Sequence, residues 1–156
     1  MTNVISSDSP IGRKTQQVLR SLAELMIPET DTMPSAADEA IFAGIVKRLA
    51  PNADSVADAV WELDSYAVQE TDCGFTELDA ERRMQILDRS GLSQFRQLFQ
   101  MAVLPAYYQD DRVMMAIGLP PRPAWPEGYE IDPTDWSLVD PVKARGPIWR
   151  EPDTPS

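Results

Sequence analysis

The chain has 156 residues, with 14 Lys+Arg against 25 Asp+Glu and a formal net charge of −11. A surface that negative repels phosphate, which argues against nucleic acid as a partner. Histidine is absent and Cys73 is the single cysteine, so the commonest acid–base side chain is missing, and an internal disulfide, a thiolate zinc site and an iron–sulfur cluster are excluded.

The length suits a domain with a real core. Ser9-Pro10 predicts the start of a first helix, followed by Val18, Leu19, Leu22, Leu25 and Met26 at helical spacing and stopped at Ile27-Pro28. Ser35-x-x-Asp38 opens a second helix, whose apolar face is Ile41, Phe42, Ile45, Val46 and Leu49 before Pro51. A third starts at Asn52 or Ser55, turns Val56, Val60, Leu63 and Ala67 inward, and ends near Cys73-Gly74. Thr76-x-x-Asp79 caps a fourth, carrying Met84, Ile86 and Leu87 to Gly91. The fifth has the clearest stripe: Leu92, Phe95, Leu98, Phe99, Ala102, Val103 and Ala106. A short sixth runs from about Asp110 to Ile117 and stops at Gly118. No period-2 alternation or hairpin dipeptide is present. The expected fold is all-α, a bundle of five or six helices over residues 1–119.

From Pro120 the composition changes. Residues 120–156 hold nine of the 14 prolines and three of the four tryptophans, Trp125, Trp136 and Trp149, together with Tyr129. Prolines this dense oppose helix and central strand, so an extended tail is expected. Three exposed tryptophans would present on the order of 600 Å² of ring surface, more than a monomer usually leaves bare. Two readings stay open: the tail wraps its own bundle, or it straps onto a second protein.

Few residues here carry chemistry. Nine acids and no base lie between Arg48 and Arg82, and Asp54, Asp58 and Glu62 share a helix face at four-residue spacing. With no EF-hand loop, this reads as a solvated acidic face rather than a calcium site. Cys73 reads as a small half-buried residue with no histidine to activate it. Met101, Met114 and Met115 read as core filling. No glycine-rich phosphate loop occurs. Tyr107 and Tyr108, at the end of the fifth helix, have the apolar body and polar tip suited to a domain edge or an interface. No apolar run approaches the ~18–20 residues of a spanning helix. Met1–Asp8 shows no basic region followed by an apolar one, so the expectation is a cytoplasmic protein, or a periplasmic one if a signal was removed or a partner carries export.

Two stretches resemble a known family. Leu25-Met-Ile-Pro-Glu-Thr-Asp-Thr-Met-Pro-Ser-Ala36 is similar to the pattern LIP-x-x-D-x-x-P-x-A, and Tyr107-Tyr-Gln-Asp-Asp-Arg-Val-Met-Met-Ala-Ile-Gly118 to YY-x-D-x-x-V-x-x-x-x-G. Both patterns resemble those of the gluconate 2-dehydrogenase subunit 3 family, over about residues 15–125. The resemblance implies an accessory role: a non-catalytic small subunit that stabilises or matures a large flavoprotein of the glucose-methanol-choline type. That partner would hold FAD, oxidise a sugar or alcohol hydroxyl, and pass electrons to an acceptor such as a cytochrome. No catalytic, cofactor or metal residues carry over to this chain. Many members bear a twin-arginine signal, and none is visible here. Trp125, Tyr129, Trp136 and Trp149, with Tyr107 and Tyr108 next, are the expected partner contacts. The alternatives are a free-standing helical scaffold or chaperone, and an enzyme using carboxylates alone.

Overall fold

The computed structural model describes residues 10–121, 128 and 135–146, and the chain divides into two compact units, Met1–Pro121 and Arg122–Ser156. The first unit holds α1 (Arg13–Met26), α2 (Glu39–Leu49), α3 (Ala53–Thr71), α4 (Ala80–Arg89), α5 (Ser93–Tyr108) and α6 (Asp111–Ala116). The described part of the second is a 3₁₀ turn, Trp136–Val139, running into α7 (Asp140–Ala144). Among the described residues there is no strand, and the chain is all-α. No helix among them is long and apolar enough to cross a membrane.

The helical stripes read from the sequence become the core. On α3, Val56, Val60, Leu63 and Ala67 are all buried, and α5 buries Phe95, Phe99, Ala102, Val103 and Ala106. Helix α1 packs on α3 and α2 on α5. Gly44 lets the second pair approach closely: a Cβ there would lie 3.4 Å from that of Ala106. Phe75, in a short 3₁₀ turn that follows α3 in the chain, is fully buried, and that turn packs on α1 and α3.

Several boundaries differ from expectation, each for a local reason. Helix α1 begins at Arg13, not at Pro10, because Ile11 is buried and the chain must turn after it before the helix can start. The Gln16 side-chain amide fastens that turn, donating to the Ile11 carbonyl at 2.7 Å. Asp38 alone caps α2, accepting from Ala40 N at 3.1 Å, while Ser35 Oγ turns back to the Ile27 carbonyl at 3.1 Å. Helix α7 forms within the tail expected to be extended; its proline, Pro141, stands in the first turn, where a missing N–H costs nothing. Met101 and Met115 are 66% and 58% exposed rather than core filling, and Cys73 is exposed rather than half-buried.

Helix α3 ends in an unusual way. Asp72 N–H closes the last helical bond, to the Val68 carbonyl at 2.9 Å, and Asp72 then takes the left-handed conformation, φ 61°, to turn the chain out of the helix. Glycine would do this without steric cost, whereas a β-branched residue suffers most there. Asp72→Val is therefore expected to destabilise the body by about 1–2 kcal/mol, and Asp72→Gly to leave stability unchanged or raise it. Urea denaturation of the two variants checks the order.

Candidate partner interface

Between α1 and α2 the chain makes a compact loop that folds back on the end of α1. Ala36 N donates to the Ile27 carbonyl at 2.9 Å, Thr30 N to the Met33 carbonyl at 3.0 Å, and Ala36 itself is buried. The loop is then tied to the far end of the sequence. Tyr107, 3% exposed at the last turn of α5, donates its hydroxyl to the Pro34 carbonyl at 3.1 Å. Arg112, in the first turn of α6, reaches two helix-capping carboxylates at once. Its guanidinium donates to Asp38 at 2.7 and 3.1 Å and to Asp110 at 2.9 Å. Arg20 supports the loop from α1, donating to the Ala37 carbonyl and lying 4.3 Å above the Phe42 ring.

The electrostatics follow from this packing. Hydrogen bonds from Arg112 hold the Asp38 and Asp110 carboxyls below their ordinary value, against a smaller opposing push from burial. The same two carboxylates keep Arg112 firmly charged. Burial pushes the Tyr107 phenol above its usual value, with Tyr108 and Asp110 adding to the shift, so the hydroxyl stays a donor. This joint is a structural clamp. Its groups are already engaged with one another.

Sequence similarity now has a physical setting. The profile described as "Gluconate 2-dehydrogenase subunit 3" matches residues 13–114, both sides of the clamp included. The chain belongs to the gluconate 2-dehydrogenase subunit 3 family. The family takes its name from a dehydrogenase assembly in which such a chain is one subunit. No curated protein and no solved structure gives a significant match.

The residues expected at a partner surface fall in different places. The two tyrosines divide: Tyr107 is buried, whereas Tyr108 packs edge-on against it, with ring centroids 5.5 Å apart, and is 52% exposed. Trp136 is 73% exposed in its 3₁₀ turn, accompanied by exposed Leu138, Val139 and Val142. Trp125, Tyr129 and Trp149 lie outside the described residues. Sequence reasoning missed the company Tyr108 keeps. Met101 lies two turns before it on α5, and Met115, Ile117 and Leu119 follow it, all exposed. The signal was there: Met101 and Tyr108 are seven apart, off the stripe that fills the core. Among the described residues no three side chains of metal-ligand type converge.

Two consequences of the clamp can be measured. Tyr107→Phe removes a buried donor and is expected to cost about 1–2 kcal/mol in chemical denaturation. Carboxylates whose values are depressed stabilise the fold above the ordinary 3.8, and that contribution is lost as the pH falls through the depressed values. Wild type should therefore be more stable than Arg112→Gln at neutral pH, and the two should converge only below 3.8, as followed by thermal melts across pH.

Proposed function

We propose that this chain is a non-catalytic small subunit that docks on, and stabilises or matures, a large FAD-dependent flavoprotein of the glucose-methanol-choline type. The observation that carries the reading is the family match over residues 13–114 in a chain with exposed apolar side chains at the end of its core helix. Met101, Tyr108, Met115, Ile117 and Leu119 are clustered in sequence, and the second unit adds Trp136, Leu138, Val139 and Val142. Apolar and aromatic residues of this kind form the centre of protein interfaces, where a few anchors hold most of the energy.

Within this reading the chemistry belongs to the partner. The absence of histidine leaves this chain without the usual group for taking the hydroxyl proton of a sugar or alcohol. The flavin would accept the hydride in the large subunit. This chain's own residues would supply shape: the clamp between Pro34 and Tyr107 fixes the end of α5, and with it the direction in which Tyr108 is presented.

Co-expression with the flavoprotein subunit tests the proposal. The yellow complex should purify in fixed ratio. Deleting residues 120–156 should leave a helical body that loses most of its affinity. Among Tyr108→Ala and Trp136→Ala, at least one should weaken the complex on the order of 30- to 1000-fold. Full-strength binding by the truncated chain and by both variants would place the interface elsewhere. Flavin bound stoichiometrically by the isolated chain would overturn the non-catalytic reading.

A further inference from the structure

Helix α3 carries a feature that the docking surface above does not use. Its inner side is filled by Val56, Val60, Leu63 and Ala67, yet Trp61 points outward and is 72% exposed, with Val68 two turns further on at 46%. The indole is an expensive group to leave in water, and nothing in the body's core requires it there. Along α3 itself the charge around it is of one sign. Asp54 lies two turns before Trp61 on the same face, Asp58 and Glu62 flank it, and all three are exposed. Among the described residues these three carboxylates make no side-chain hydrogen bond or ion pair, unlike Asp64 at the edge of the face, which accepts from Phe75 N at 2.9 Å and pairs with Lys14 at 3.2 Å. Helix α3 has five acids and no base.

We infer that the Trp61 face of α3 is a second docking surface, whose occupant is a protein segment presenting arginine. An arginine guanidinium can lie flat on an indole while its N–H groups reach carboxylates, and tryptophan is the best of the aromatic partners for such stacking. Lysine satisfies the charge but not the plane. The pattern of one large apolar anchor with acids around it matches that chemistry on both counts: the carboxylates steer a basic segment and the ring holds it. The body already holds one arginine over an aromatic ring, Arg20 Cζ lying 4.3 Å from the centre of the Phe42 ring. The surface lies on α3, which packs mainly on α1 and α4, whereas the residues proposed to meet the flavoprotein lie at the end of α5, beyond it and in the second unit, so the inference does not rest on that reading.

The test uses the full chain with its four tryptophans replaced biosynthetically by 5-fluorotryptophan, the Trp61 signal being assigned with Trp61→Phe. The probes are an arginine–glycine repeat peptide and a lysine–glycine peptide of equal length. The arginine peptide should move the Trp61 fluorine signal and leave that of Trp136 in place. It should bind more tightly than the lysine peptide. Trp61→Ala should weaken it about three- to thirtyfold, and Trp61→Phe should restore part of the loss. Asp58→Asn with Glu62→Gln should weaken it further and flatten its salt dependence. Circular dichroism should show every variant folded, since all the changed side chains are exposed. Equal binding of both peptides with no movement of the Trp61 signal would mean a solvated acidic face only, and would overturn the inference. So would arginine-peptide affinity unchanged by Trp61→Ala, or a shift confined to Trp136.

Discussion

The body depends on one fastening, made where the loop after α1 meets the turn between α5 and α6. A buried phenol donates to the Pro34 carbonyl, and beside it one guanidinium spans the capping carboxylates of α2 and α6. Each helix start would otherwise hold an acid facing a second acid across the joint. Arg112 turns that repulsion into two ion pairs with shared donors, a geometry for which the planar fork of arginine suits better than lysine. The packing of α2 against α5 rests on the same region, since Gly44 and Ala106 meet just inside it.

The helices were legible in the sequence because their apolar residues recur at helical spacing. All four inward positions named on α3 are buried, as are five of the seven on α5. What escaped was set by contacts distant in sequence. Helical spacing separates the two tyrosines, Tyr107 falling four after Val103 on the core stripe and Tyr108 off it, but it does not reveal the Pro34 carbonyl that Tyr107 meets 73 positions away. Methionine failed as a core signal because its flexible, weakly polar side chain tolerates exposure, and Met101 and Met115 are outside. The end of α3 was placed near Gly74 on composition, yet the left-handed cap falls on Asp72, one of the few residue types that adopt it without glycine. The described tail departs in a similar way, because proline opposes a helix only beyond its first turn.

The acidic stretch, which reads as a single block in the sequence, contains two distinct sets of three once folded. Asp64, Glu77 and Asp79 are structural, accepting from Phe75, Gly74 and Arg82 backbone N–H groups around the α3–α4 connection. Asp54, Asp58 and Glu62 stand on the outer surface of α3 around Trp61. A net charge of −11 is therefore not spread evenly by function. Part of it shapes the backbone, and part is available as an external field. Both sides of the clamp fall within the residues matched by the family, 13–114.

The sequence distance bridged by the clamp has a kinetic meaning. Its bonds join residues 73 and 74 positions apart, whereas each helix is closed by contacts four apart. Closing a long loop is entropically dearer than extending a helix, so local structure gains before the joint does. Bonds formed late in folding are missing from the transition state, and their strength is then felt mainly in how slowly the native chain comes apart. The pairing of Tyr107 with Pro34 and of Arg112 with Asp38 is therefore expected to act chiefly on the unfolding rate. A slow unfolding rate protects a folded chain as well as a deep free-energy minimum does.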